Sequence, residues 1–459
     1  MESYWDEGKA RVEEWQSLVH VCRRWRSLVF RSPRRLNLQL YCTPETPAKD
    51  TLDIWPAFPL IVYGDLMPSS GTDNIIAALE QRNRVSRVCL FDLESWQLET
   101  VLATMQVPFL ELEDLRLTST DETPPVIPDS LLGGSAPHLQ NFLLSGISFP
   151  RLPKLLFNAS RLVYLWLLNI PHSGYISPEA IVALFSVSAC LEELSLEFQS
   201  PRSHPGGRLR SSESPKRSIL PALRVFHFKG VSEYLEELAI RIGTPQLDEI
   251  KITFFNQIDF NTPRLAQFIN CTPTLRALDE VHVQVAVPDI ASIGFQYRAS
   301  EYSFEHLSIN ISCREPDWQL SSIEQICNSL HQALHPLSTV VDLYIEGRSG
   351  YRLLHWKDDA IENTLWSQLL LPFTAVKNLY LSAEFAPRIA ATLQELVTSR
   401  VTEILPSLQN IFVEGLDPSG RENIEQFVAA RQLNNPIAIS DWDGRCNECN
   451  VVARGIRAS

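Results

Sequence analysis

Few residues in this chain stand at spacings that chemistry requires. Cys446 and Cys449 form a Cys-x-x-Cys pair shortly after Trp442, with only ten residues following. A tetrahedral zinc site needs two further thiolate or imidazole ligands, and none follows, so the pair reads as ordinary thiols. His331 and His335 lie four apart in a helix-forming stretch and share a face. They lack the glutamate and the third ligand of a zinc-protease helix, so no metal and no cofactor is implied. The 18 glycines are scattered, and no Walker, dinucleotide-binding or nucleophile-elbow motif is present. A non-enzyme is therefore expected. Ser214, followed by Pro215, Lys216 and Arg217, fits a proline-directed kinase site. Phosphorylation there would add about −1.5 to −2 charges to a basic stretch.

What the sequence does carry is repetition. The phrase apolar-x-x-apolar-x-apolar occurs as VSRVCL (Val85 to Leu90), LEDLRL (Leu112 to Leu117), LQNFLL (Leu139 to Leu144) and LVYLWL (Leu162 to Leu167). It continues as LEELSL (Leu191 to Leu196), LRVFHF (Leu223 to Phe228), LDEIKI (Leu247 to Ile252) and LDEVHV (Leu278 to Val283). FEHLSI (Phe304 to Ile309), VVDLYI (Val340 to Ile345), VKNLYL (Val376 to Leu381) and LQNIFV (Leu408 to Val413) complete twelve copies. The middle apolar residues run from Val88 to Ile411 at spacings of 23 to 36. In each phrase the last two apolar residues are two apart, so they point to one face of a short strand. One copy cannot bury that face, whereas stacked copies can. Helix-forming stretches intervene, among them SPEAIVALFSVSA (Ser177 to Ala189), which has a serine cap and a proline at the first helical position. SSIEQICNSLHQALH (Ser321 to His335) and APRIAATLQELVTS (Ala386 to Ser399) are similar. The pattern predicts an α/β leucine-rich-repeat solenoid, with a parallel sheet on the concave side and helices and loops on the convex side. The Asn or Cys that usually follows such strands is mostly missing, so irregular turns are expected.

The residue between the last two apolar positions of each phrase should point away from the core. Along the chain that column reads Cys89, Arg116, Leu143, Trp166, Ser195, His227, Lys251, His282, Ser308, Tyr344, Tyr380 and Phe412. Its last three members are aromatic, and large rings are favoured anchors at protein interfaces. Tyr344, Tyr380, Phe412 and Trp166 are thus the candidate contacts for a partner protein, whose identity no code in such repeats reveals. Asp342, Asn378, Asn410, Glu346, Ser382 and Glu414 would form a polar, partly acidic rim suited to aliphatic and basic residues.

Composition narrows the setting. A net charge of −14 argues against general nucleic-acid binding, which needs a basic face. No apolar run reaches the length of a membrane span, and the first residues hold no secretory apolar core. Nine cysteines, an odd number thinly spread, fit a reducing intracellular location, cytoplasm or nucleus. The stretch Ser203 to Ser218 is rich in Ser, Gly, Pro and basic residues and reads as a disordered insertion near 200–218. Residues 441–459 read as a flexible tail, and a monomer is expected.

The stretch Glu13 to Arg35 reads as a helix ended by Ser32-Pro33, with Trp15, Leu18, Cys22, Trp25 and Val29 along one stripe. LVHVCRRWRSLVFRSPRRLNLQL (Leu18 to Leu40) closely resembles the second half of an F-box. The continuation from Cys42 to Asp65 is similar to the segment that follows in many fungal F-box proteins with leucine-rich repeats. The first half of an F-box is not matched by Met1 to Glu14, so the F-box is incomplete and is assigned to residues 1–35, ahead of an array over 36–440. The resemblance implies a substrate-recognition subunit of an SCF-type, cullin-RING ubiquitin ligase. It also implies contact with the Skp-type adaptor through Leu18, Val21, Cys22, Trp25 and Leu28. The alternative is a leucine-rich-repeat interaction scaffold without a ligase.

Overall fold

The computed structural model describes residues 20–442 apart from 32–38, 46, 55, 66–70, 122, 124, 150, 202–216, 276–277, 286–289, 298–304, 335, 348–358, 397–402, 416–417 and 432–435. Leu18, Trp15, Ser214, His335 and the Cys446–Cys449 pair lie outside the described residues, as does nearly all of the stretch read as an insertion. The chain is mixed α/β and divides into two compact units, Met1–Ser211 with Ser218–Leu223 and Ser212–Arg217 with Arg224–Ser459.

In the first unit seven strands lie side by side in chain order, all parallel. They are β1 (Leu40–Cys42), β2 (Leu60–Asp65), β3 (Val85–Phe91), β4 (Asp114–Thr118), β5 (Asn141–Ser145), β6 (Tyr164–Ile170) and β7 (Glu193–Phe198). Helix α1 (Arg23–Arg31) precedes them. Helices α2 (Ala48–Ile54), α3 (Thr72–Leu79), α4 (Ser95–Thr104) and α5 (Pro178–Phe185) lie in the connections. Where phrases follow one another most closely, 23 residues from Phe142 to Leu165, the connection shrinks to a single 3-10 turn, Lys154–Asn158. Ser177 caps α5 as its type predicts, its Oγ accepting the Ala180 N–H at 3.2 Å.

Among the described residues the second unit contributes nine strands to the large sheet: β8 (Val225–Gly230), β9 (Glu249–Phe255), β10 (Glu280–Gln284), β11 (Ile290–Gln296), β12 (Leu307–Ser312), β13 (Asp342–Glu346), β14 (Asn378–Leu381), β15 (Asn410–Val413) and β16 (Ala438–Asp441). Their spatial order is β8-β9-β12-β11-β10-β13-β14-β15-β16. Helices α6 (Ser232–Ala239), α7 (Pro263–Cys271), α8 (Pro316–Leu334), α9 (Asp359–Leu370), α10 (Ala386–Leu396) and α11 (Pro418–Arg431) each pack on the next.

All twelve phrases are strands, and every phrase strand runs parallel to any phrase strand beside it within its unit. In each, the last two apolar residues are buried at 0–2 % exposure, as with Leu115 and Leu117 or Leu343 and Ile345. The order departs from the sequence at one place. From β9 the chain passes through α7 and returns to the sheet three places away as β10. It then comes back through β11 and β12 by antiparallel pairing until β12 lies beside β9. The 19-residue α8 then recrosses to β13, beside β10. That traverse spans three strand places, about 14 Å, well within the reach of a helix of this length. Strand β11 carries no leucine phrase, but Ala291, Ile293 and Phe295 alternate as a half-buried strand requires.

Several turns near the strand ends are shaped by left-handed backbone conformations. Asp92, Gly146, Asn169 and Gly415 all take positive φ near strand ends. Gly146 is obligatory, because a Cβ there would meet the Ser119 carbonyl oxygen at 2.1 Å.

Candidate functional site

The aromatic column of the second unit is a continuous stack. Strand register sets His282 beside Tyr344, Tyr344 beside Tyr380 and Tyr380 beside Phe412. Ring centroids along it are 4.3, 4.1 and 4.5 Å apart, with planes within 5–9° of parallel. The chain order of the phrases would put Ser308 between His282 and Tyr344. The permuted strands remove it, and His282 becomes the first ring of the ladder. Tyr344, Tyr380 and Phe412 are half-buried. Trp442, the first residue past β16, packs edge-on against Tyr344 and Tyr380 at 6.0 and 5.5 Å between centroids. The rings lie outside the apolar core, but their faces are used up against one another, and the indole covers part of their outer edges.

One flank of the stack is an amide ladder. The Asn378 side-chain amide donates to Asp342 Oδ1 at 2.5 Å, and that of Asn410 donates to Asn378 Oδ1 at 2.7 Å. Around His282 the setting is ionic. Its Nε2–H donates to Glu280 Oε1 at 2.8 Å, and Glu346 Oε1 lies 3.6 Å from Nδ1. The Gln296 amide also donates to Glu280 Oε1 at 2.6 Å. Burial by itself would lower the His282 pKa, but the hydrogen bonds and charges of Glu280 and Glu346 outweigh it and raise the value to about 9. An imidazolium therefore lies flat on the Tyr344 ring at neutral pH, a cation-π contact. Burial, with the charge of Glu280 next, pushes the Tyr344 phenol well above its ordinary value.

The other end of these strands is acidic. Glu346, Ser382 and Glu414 continue the rows beyond Tyr344, Tyr380 and Phe412. Glu384 packs its carboxylate on Gly347, at a place where any Cβ would overlap it. Burial and then the neighbouring Glu414 charge raise the Glu384 pKa above the ordinary carboxylate value. The Ala383 N–H donates to Glu414 Oε2 at 3.2 Å.

Trp166 belongs to the first unit and does not join this ladder. It stacks on Tyr164 at 5.4 Å, its Nε1–H donates to Glu193 Oε1 at 2.6 Å, and the Arg116 guanidinium lies 5.3 Å from its ring centre. Arg116 is held by both oxygens of Asp114 at 2.9 Å. Leu143, between Arg116 and Trp166 in register, is only 8 % exposed. Cys89, Ser195, His282 and Ser308 are buried as well, so this column is not an open row along its length. The burial of Cys89, with Asp114 next, pushes its thiol up to about 12, which removes it as a nucleophile.

Of the N-terminal residues, Val21, Trp25 and Leu28 are 64, 48 and 54 % exposed, and Cys22 is exposed too. The Cys22 sulfur takes the Trp25 N–H at 3.5 Å and caps α1. Val29 was expected on the Trp25 stripe but turns inward, 3 % exposed, and Phe30 packs on Phe58 at 5.7 Å. The helix is thus anchored through Val29 and Phe30 towards its C-terminal end, while Trp25 and Leu28, with Val21 just before it, keep apolar side chains exposed.

Among the described residues no group of three His, Cys, Asp or Glu is placed to hold a metal, and no helix is long and apolar enough to cross a membrane. No protein-family profile matches the chain, and no curated protein sequence matches it. The aromatic ladder with His282 at its head could be foreseen only in part, because the permuted strand order that creates it leaves no mark on the period.

Proposed function

We propose that this chain is a non-catalytic substrate-recognition subunit of an SCF-type ubiquitin ligase. In this reading residues 1–35 are a partial F-box, and Val21, Cys22, Trp25 and Leu28, with Leu18, contact the Skp-type adaptor. The strands from β3 onward are a leucine-rich-repeat solenoid, interrupted by the β10–β12 excursion, and they hold the target protein. The cellular setting is intracellular, cytoplasm or nucleus.

The observation that carries the reading is the exposure of α1. Trp25 and Leu28 on α1, and Val21 just before it, are exposed, while Val29 and Phe30 anchor the same helix. Apolar side chains clustered in this way on one short helix mark a protein contact more often than chance surface leucines do. They coincide with the residues that the F-box resemblance assigns to the adaptor. The twelve buried phrases supply the second half of the reading, a rigid support from which surface side chains can capture a target.

Co-purification of the full chain with a purified Skp-type adaptor tests it. Retention supports the ligase subunit. Failure to retain the adaptor, with the chain folded, leaves the alternative, a leucine-rich-repeat scaffold without ligase association.

A further inference from the structure

We propose that Trp442, carried by β16, is an autoinhibitory latch: it lies over the outer edges of Tyr344 and Tyr380 and must lift before an aromatic residue of a partner can take its place. This deepens the receptor reading and rests on it for the role of the ladder as the partner surface.

The latch is placed by its own contacts. The Trp442 N–H donates to the Val413 carbonyl oxygen at 2.9 Å, so its backbone stays beside β15. Its ring does not stay there. It meets Tyr380 on β14 and Tyr344 on β13 edge-on, with centroids 5.5 and 6.0 Å away. Strand β13 is three places from β16, about 14 Å along the sheet. The indole therefore leans back over the sheet. The faces of Tyr344 and Tyr380 are taken up by His282, by each other and by Phe412. Their edges are what remains for another aromatic group, and Trp442 holds them.

The strand that carries the ring is held more weakly than the rings it covers. Among the described residues β16 has one strand neighbour, β15, whereas β13, β14 and β15 each have two. It has four residues, of which Ala438, Ser440 and Asp441 are exposed. Its core-side Ile439 is partly exposed, while Ile411, its register partner on β15, is wholly buried. Asp441 meets Arg421 at 2.6 Å, but these side chains are 82 and 46 % exposed, and such a pair contributes little. A short edge strand with few buried apolar contacts opens locally at low free energy. The ladder beneath it is fixed by strands paired on both sides.

The partner chemistry follows from what the lifted latch uncovers. Opening frees the outer backbone edge of β15 together with the phenol edges. An extended segment that pairs with β15 and carries an aromatic residue at its end satisfies both at once. The chain's own residues 437–442, Ile-Ala-Ile-Ser-Asp-Trp, are the pattern for such a segment.

The test uses the full chain and a fluorescein-labelled peptide with the sequence of residues 437–442. Hydrogen-exchange mass spectrometry of the native chain should show the β16 amides exchanging at least about a hundredfold faster than those of β14. In fluorescence anisotropy the peptide should bind W442A about tenfold or more tighter than the native chain, and a peptide ending in alanine should lose about as much. Asn410→Cys with Ala438→Cys joins register partners on β15 and β16. That variant should lose peptide binding on oxidation and regain it on reduction, with the cross-link verified by mass spectrometry. Circular dichroism melting shows whether each variant is folded. Equal peptide affinity of the native and folded W442A chains, no binding to W442A, unchanged binding after cross-linking, or β16 amides as protected as those of β14 would each overturn the proposal. A ring that merely caps the sheet would lower the melting temperature of W442A with no gain in peptide affinity. Adaptor retention is read on the same samples. Retention of the adaptor with a failed latch sinks this inference alone, and a working latch without adaptor retention sinks only the ligase reading.

Discussion

The His282 imidazole lies flat on the Tyr344 ring, with centroids 4.3 Å apart and planes 5° from parallel, although 62 residues separate them in the chain. The pair links the charge of the site to its stability. Glu280 from the same strand, Gln296 from β11 and Glu346 from β13 surround the imidazole. Its pKa is about 9 in the folded chain against the ordinary 6.5. A raised pKa means that its stabilisation is complete below about pH 6.5 and is lost as pH rises through 9. Denaturant unfolding of the native chain should therefore show a loss on the order of 2 kcal/mol between pH 6.5 and 10 that is missing in His282→Gln. Parallel curves for the two proteins would refute the imidazolium.

The stacked rings bear on binding as well as stability. The double change Tyr344→Ala with Tyr380→Ala should weaken partner capture by more than about 2 kcal/mol, the scale of an interface hot spot. Both rings are half-buried, so some loss of stability accompanies it. Pull-down at a temperature where circular dichroism shows the variant folded separates the two effects. Normal capture by a folded double variant would place the partner surface elsewhere.

The permuted order of strands can be tested chemically. Lys251 and Ser308 are direct register partners on neighbouring parallel strands, whereas β11 stands between His282 and Ser308. Lys251→Cys with Ser308→Cys should cross-link on mild oxidation, since facing residues on adjacent strands lie within disulfide range. His282→Cys with Ser308→Cys should not. Mass spectrometry finding the reverse pattern would restore the simple order of phrases.

This order is where reading the sequence reached its limit. The twelve phrases located twelve strands, because burial of residues such as Leu115 and Leu117 imposes the period directly. Strand β1 has only three residues and β16 lies largely exposed, so neither bears the phrase. The alternation of Ala291, Ile293 and Phe295 does mark β11, yet a period records which face a residue takes and not which strand lies beside it. The place of His282 on Tyr344 follows from that adjacency and could not be read. The inward turn of Val29 was equally hidden, since a helical stripe does not reveal which part of it is buried.

Turn geometry gives a sharper stability test. Gly146 has φ +69°, and any Cβ would press into the Ser119 carbonyl oxygen. Gly146→Ala should destabilise the chain by about 1–3 kcal/mol, seen as a lower unfolding midpoint. Gly134 also has positive φ, but the nearest atom to a Cβ there is 3.8 Å away. Gly134→Ala should cost less, and equal effects at both sites would argue against the close approach at Ser119.

The claim that most needs testing is that the outward face of α1 holds an adaptor. Calorimetric titration of the full chain with a purified Skp-type adaptor addresses it directly, using the native protein and a Trp25→Ala, Leu28→Ala variant. Both side chains are about half exposed, so their loss should change stability by no more than about 0.5–1 kcal/mol. The account predicts saturable one-to-one binding by the native chain and at least about a hundredfold loss in the variant, with an unfolding midpoint close to native. No heat of binding with the native chain, or equal affinity in the folded variant, would contradict it.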